Sequence, residues 1–91
     1  MYIISKTIKG KEFMYSTQHS VLCKNEVEAE KLAEFMNNNN NSAIGDFKLE
    51  KDELWRVYEI DKYDTPPRYE LVGVKGKISI REYDIDKWFT I

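Results

Sequence analysis

A chain of 91 residues with 42% hydrophobic and 13% aromatic residues is long enough for one globular domain and too apolar for wholesale disorder. A single cysteine, Cys23, excludes an internal disulfide, and a single histidine leaves no cluster with metal-ligand spacing. The net charge of −2 is unevenly distributed, because residues 25–64 carry eleven acidic against five basic residues while both ends are mildly basic.

The first segment predicts a β-hairpin. Apolar and polar residues alternate over residues 2–8, and Lys9-Gly10 offers glycine at the turn position that favours positive φ. A two-residue turn there would place Ile4 opposite Tyr15 and Lys6 opposite Phe13. The predicted core face holds Tyr2, Ile4, Ile8, Phe13 and Tyr15, and the other face carries Ser5 and Thr7.

A short strand at residues 21–23 precedes the most regular pattern in the sequence, which predicts a helix over residues 26–36. Asn25 is a favourable N-cap, and Glu28 follows three residues later as in a capping box. The residues at helical spacing are Ala29, Leu32, Ala33 and Met36, with Val27 and Phe35 widening the apolar stripe. The asparagine-rich residues 37–46 predict a mobile loop.

Residues 54–61 form the most strand-like run, preceded by a short strand at residues 47–49 and a turn at Lys51-Asp52. One side of this run carries Leu54, Arg56, Tyr58 and Ile60, and the other carries Trp55, Val57, Glu59 and Asp61. Because both sides hold large apolar groups, we expect a central or well-covered strand with the helix on one face. The second face requires either the C-terminal segment or another molecule.

The prolines Pro66 and Pro67 end this run, and a second hairpin follows with Lys75-Gly76 as its turn. That turn pairs Leu71 with Ile80, Gly73 with Ile78 and Glu70 with Arg81, and it collects Tyr69, Leu71, Ile78 and Ile80 on one apolar face. Residues 83–91 are too apolar to remain in solvent and should pack back as a short helix or a last strand. The sequence therefore predicts one α+β domain, a single antiparallel sheet with one main helix packed on one face.

No motif in the sequence specifies a reaction. His19 and Cys23 lack an orienting third group, so Cys23 is expected to be a small core residue. The glycines are scattered singly, and Asp61, Asp64, Asp84 and Asp86 lack the glycine and glutamate of a calcium loop. We expect no catalytic, metal-binding or cofactor-binding residue, and therefore no enzyme.

We expect a soluble, cytoplasmic protein with no membrane partner. No apolar run approaches the roughly 20 residues that span a bilayer, and residues 1–8 lack the architecture of a cleavable signal. The lone cysteine fits a reducing compartment.

Protein binding is the function best matched to these residues, because the aromatic side chains exceed what one helix on one sheet needs for a core. Aromatic residues and arginine are the usual anchors of interfaces. The residues predicted to contact a protein partner are Tyr63, Trp88, Phe89, Arg56, Asp61 and Asp64. A homodimer through an exposed face or edge of the sheet would use the same residues.

Nucleic-acid binding is the alternative. Its candidate contacts are the lysines of the two hairpin tips, Lys9, Lys11, Lys75 and Lys77. A sequence pI near 5.4 and the acidic middle segment argue against it, since nucleic-acid-binding domains usually carry a basic face.

The order hairpin, short strand, acidic helix at residues 26–35 and strand at residues 55–60, with a bias to Lys, Asn, Ile, Glu and Tyr, resembles small uncharacterised proteins encoded by phages and mobile elements of Gram-positive bacteria. This resemblance covers about residues 2–60 and includes no specific motif. It implies an inhibitor or accessory protein that binds a host or defence protein, as anti-CRISPR proteins do.

Overall fold

The computed structural model describes residues 1–10, 19–38, 49–74 and 77–90. They form a small α+β domain with one mixed, mostly antiparallel sheet, which confirms the predicted class. The strands are β1 (Tyr2–Ile8), β2 (Ser20–Cys23), β3 (Glu53–Glu59), β4 (Tyr69–Val74) and β5 (Lys77–Glu82), and the helices are α1 (Glu26–Asn38) and α2 (Ile85–Phe89).

The five strands lie in the order β3-β1-β2-β4-β5. β1 is antiparallel to both of its neighbours, whereas β2 and β4 run parallel and pair over only two residues of each strand. The purely antiparallel sheet of the prediction is therefore wrong at one pair. Residues 60–68 carry the chain from the end of β3 across the sheet to the start of β4, a connection with no sequence signature of its own.

The strand predicted to be central, β3, lies at the edge of the described sheet. Its two faces are nevertheless covered. Trp55 packs among the buried residues beneath α1, and Tyr58 packs with Trp88 on the opposite face. The predicted cover on both faces is confirmed, and only the central position is wrong. Apolar residues on both faces of a strand indicate cover above and below it and do not indicate hydrogen-bonded neighbours on each side.

The predicted partner of the first strand is also wrong. Ile4 of β1 lies between Val21 of β2 and Val57 of β3, so it cannot pair with Tyr15. Both edges of β1 at Ile4 are taken by long-range partners that turn chemistry alone does not reveal. Residues 11–18, the predicted second strand of this hairpin, lie outside the described residues.

The faces of β1 depart from the prediction in two further ways. Ile8, assigned to the core, is 48% exposed, and it stands at the end of the strand beside Lys9. Ser5 and Thr7, assigned to the face opposite the predicted core face of this strand, are buried. The second face of the sheet is therefore packed at β1 as well.

Helix α1 begins where the sequence predicts. The Oδ1 of Asn25 accepts a hydrogen bond from the backbone N–H of Glu28 at 2.8 Å. The buried residues are the predicted Ala29, Leu32, Ala33 and Met36, which pack on Ile4, Val21, Cys23 and Trp55. Val27 and Phe35 are exposed instead of widening the stripe, so α1 buries only the narrow side that faces the sheet.

The helix continues to Asn38, into the asparagine run that was predicted to end it. Asn37 has a structural partner, because its side-chain amide hydrogen-bonds to both backbone groups of Trp55. The rest of the predicted loop, residues 39–46, lies outside the described residues, as do residues 47 and 48 of the predicted short strand. The predicted turn at Lys51-Asp52 is present, with Asp52 at φ 74°.

The second hairpin has the predicted register. Leu71 pairs with Ile80, Gly73 with Ile78 and Glu70 with Arg81. The Nε of Arg81 donates to the Oε1 of Glu70 across the strands. Of the predicted apolar face, Tyr69, Leu71 and Ile80 pack against the buried residues under α1, while the turn residues 75 and 76 lie outside the described residues.

The C-terminal segment packs back as a short helix, α2, on the face opposite α1. Asp84 caps its N-terminus by accepting a hydrogen bond from the backbone N–H of Asp86 at 3.1 Å. Trp88 of α2 is buried against Ile3, Tyr58 and Ile60. The chain therefore covers the second face of its sheet with its own C-terminal segment.

Candidate protein-binding face

The side of the sheet that carries Ile3, Arg56, Tyr58 and Ile60, together with α2, is called here the α2 face. Strand alternation puts Arg56 of β3 on the same side as the buried Tyr58 and Ile60, but its own side chain is exposed. Three of the predicted partner residues, Arg56, Trp88 and Phe89, thus belong to the α2 face.

Trp88 is not available as an anchor for a partner. Only 3% of its surface is exposed, and its ring meets that of Tyr83 edge-to-face, with centroids 6.3 Å apart. Burial, followed by the charges of Glu70 and Asp84, raises the pKa of Tyr83 above its ordinary value. The prediction for Trp88 is corrected: it joins α2 to the sheet.

The neighbouring Phe89 is exposed at 73%, and Ile85, one helical turn before it, is exposed at 52%. Residues four apart lie on the same side of a helix, so these two side chains form one apolar strip, the α2 ridge. Phe89 was among the predicted partner residues, whereas Ile85 was not. Ile85 and Phe89 have the four-residue spacing of one helix side, but a helix of five residues is too short for a periodic pattern to be recognised in the sequence.

A groove runs beside the α2 ridge. Pro66, Pro67 and Arg68 line it from the loop, and Tyr83 and Ile85 line it from the C-terminal segment, enclosing about 390 Å³. Its two sides are joined by the backbone N–H of Tyr83, which donates to the carbonyl of Arg68 at 2.8 Å. This hydrogen bond fixes the two sides of the groove relative to each other, and Ile85 belongs to both the groove and the ridge.

Tyr63 is the most exposed large apolar residue described, at 85%. The turn that carries it is held by its own carboxylates. The Oδ1 of Asp61 accepts from the backbone N–H of Tyr63, and the Oδ2 of Asp64 accepts from the N–H of Asp61, both at 2.8 Å. Asp61 and Asp64 thus position Tyr63, a local role that the sequence analysis did not foresee.

The strands that precede the two predicted lysine turns end far apart. Val21 aligns with Ile4 on one side and Tyr69 on the other, and β4 runs antiparallel to β1. The last residue of β1 and the last residue of β4 therefore lie at opposite ends of the sheet, about 30 Å apart along the strands. Lys9 follows β1 at one end and Lys77 begins β5 at the other, and Lys11 and Lys75 lie outside the described residues.

The thiol of Cys23 is buried beneath α1, and burial, with a smaller contribution from the charge of Glu28, raises its pKa to about 12. A thiol with such a pKa stays protonated and is a poor nucleophile. His19 lies beside the first residue of β2 and is half-buried. In the described part of the chain, no three side chains of His, Cys, Asp or Glu are grouped so that they could hold a metal ion.

Neither described helix has the length and apolar character needed to cross a membrane. Comparison with known proteins found no matching family model, no matching curated protein and no matching solved structure.

Proposed function

We propose that this chain is a small non-enzymatic protein-binding module that contacts its partner through the α2 ridge and the adjoining groove. The observation that carries the proposal is that one short helix, α2, has one large apolar side chain that is buried and two that are exposed. Trp88 anchors α2 to the sheet, whereas Ile85 and Phe89 point away from the core and are 52% and 73% exposed. Exposed apolar groups gathered next to a groove are typical of protein interaction sites.

The rigidity of the α2 ridge supports this proposal. The Asp84 cap, the Tyr83–Trp88 ring contact and the backbone bond from Tyr83 to Arg68 hold the ridge before any partner arrives. A preformed surface loses little conformational entropy on binding, so even a small apolar contact can contribute net affinity. Arg68 and Lys87 lie at this surface among acidic side chains, and such a mixed polar rim favours a protein partner over a polyanion.

The class of partner follows from the resemblance described above. An inhibitor or accessory protein of a phage or mobile element would meet a host or defence protein in the cytoplasm of a bacterial cell. Glu82 at the groove and Asp84 and Asp86 at the start of α2 are compatible with a basic partner surface, because complementary charge raises association rates. The exposed Tyr63 and Arg56 would then lie at the margin of the contact.

The test is affinity capture from lysate of the natural host, with and without nuclease treatment, using the wild-type chain, Ile85→Ser/Phe89→Ser and Val27→Ser. Val27 is the matched control, because it is 59% exposed on α1, on the opposite face of the sheet. We expect the double substitution to reduce the captured partner at least tenfold and Val27→Ser to leave it unchanged. Equal capture by all three proteins, or capture that nuclease abolishes, would contradict the proposal.

A further inference from the structure

The outer edge of β3 can be mapped from its hydrogen bonds to the start of the chain. The amino group of Met1 donates to the carbonyl of Ile60 at 2.9 Å, and the N–H of Ile60 donates to the carbonyl of Met1 at 2.8 Å. Because backbone groups alternate in direction along an antiparallel strand, those of Trp55, Val57 and Glu59 are directed away from β1. Among the described strands, β1 is the only neighbour of β3.

The side chain of Asn37 occupies one position on this edge. Its Nδ2 donates to the carbonyl of Trp55 at 3.0 Å, and its Oδ1 accepts from the N–H of Trp55 at 2.7 Å. A primary amide presents a donor and an acceptor side by side, as the backbone of an adjacent strand does. Asn37 therefore takes the place of a neighbouring strand at Trp55.

The sequence of β3 permits pairing with a second copy of itself in one favourable register. With Val57 opposite Val57 of the second copy, Arg56 lies opposite Tyr58 and Trp55 lies opposite Glu59, so no like charges meet among residues 55–59, where the two strands overlap. The register centred on Arg56 instead places two arginines opposite each other and Glu53 opposite Glu59. Charge thus favours the register centred on Val57.

We propose that the side chain of Asn37 blocks the pairing of β3 with β3 of a second copy of this chain. In the register centred on Val57, Trp55 of each copy must hydrogen-bond to Glu59 of the other. The Asn37 side chain already bonds to the backbone N–H and carbonyl of Trp55, so only the backbone groups of the central Val57 pair remain available. Exposed edges of sheets are sites of self-association that natural proteins block, and here a helix residue supplies the block.

The test compares Asn37→Ala with Asn38→Ala, a control at the next position of the same helix, by light scattering over a range of protein concentrations. We expect folded Asn37→Ala to approach twice the wild-type mass as concentration rises and Asn38→Ala to keep it. Adding Glu59→Pro, which removes an N–H of the outer edge at an exposed position, should restore the wild-type mass. A folded Asn37→Ala protein of wild-type mass, or a dimer that survives Glu59→Pro, would overturn the proposal.

A second variant covers the case in which Asn37→Ala does not fold. Asn37→Ser shortens the side chain and leaves one polar atom in place of the two that bond to Trp55, so it should raise the mass in the same way. Amide hydrogen exchange of the wild-type chain gives an independent measure: we expect Trp55 to exchange at least tenfold more slowly than Val57 and Glu59. Equal exchange rates at the three positions would show that Asn37 does not block this edge of β3.

Discussion

The rings of Tyr83 and Trp88 meet edge-to-face, with an interplanar angle of 83° and centroids 6.3 Å apart. This contact joins the residue that follows β5 to the buried residue of α2. The backbone of Tyr83 also pairs with Arg68, so the last part of the chain is fixed to the sheet, to the proline loop and to α2 together. The exposed α2 ridge is consequently attached to the rest of the domain through these contacts.

The first prediction compares neighbouring aromatic residues of α2. Replacing the buried Trp88 by alanine should lower the free energy of unfolding by about 3–5 kcal/mol, because it removes a large side chain from the core. Replacing Phe89, which is 73% exposed, should change it by less than about 0.5 kcal/mol. Urea denaturation of both variants measures the difference, and similar losses would show that α2 is not anchored by Trp88.

The second prediction concerns the pair formed by Glu70 and Arg81. The side chain of Arg81 is 60% exposed, so solvent screens the pair and limits its contribution. A double-mutant cycle with alanine should give a coupling of about 0.2–1 kcal/mol that decreases as salt is added. A coupling that is absent at low salt would mean that the contact does not stabilise the hairpin.

A third prediction concerns the N-cap of α1. Asn25→Ala should lower the free energy of unfolding by about 0.5–2 kcal/mol, because the N–H of Glu28 loses its side-chain acceptor. Asn25→Ser and Asn25→Asp should retain most of the stability, since each supplies an oxygen at the same position. Thermal or urea unfolding measures the series. A loss that is equal for the three substitutions would assign the effect to packing and not to capping.

Local chemistry made some elements predictable. The stripe of Ala29, Leu32, Ala33 and Met36, the Asn25 cap and the register between Glu70 and Arg81 depend on residues close in sequence. Each is decided by spacing within one helix or one hairpin. These were predicted with the correct residues.

Long-range choices were not predictable in the same way. The position of β3 at the edge and the parallel pairing of β2 with β4 depend on which distant strand packs against an open edge of β1 or β2, and residues close in sequence do not decide that. At the candidate site, the exposure of Tyr63 and Phe89 agrees with the sequence analysis, but Trp88 was misassigned. Composition shows that an aromatic residue has an apolar surface to cover, and only the fold decides whether the chain itself covers it.

A fourth prediction concerns pH. Burial raises the pKa of Cys23 from its ordinary value of 9.0 to about 12, so between these values the folded chain holds a proton that the unfolded chain has lost. The contribution of Cys23 to stability is therefore complete below about pH 9 and is lost as pH rises toward 12. The free energy of unfolding, measured from pH 8 upward, should decline more steeply for the wild type than for Cys23→Ala. Parallel declines would contradict the effect of burial on the pKa of Cys23.

The proposed binding face is tested most directly by site-specific photo-cross-linking in the natural host. A photoreactive amino acid placed at Phe89, on the exposed α2 ridge, is compared with the same amino acid at Val27 on α1, where 59% of the side chain is exposed. We predict a discrete protein adduct from position 89 that is absent from position 27 and resists nuclease. Adducts of equal yield from both positions, or an adduct containing nucleic acid, would contradict the account.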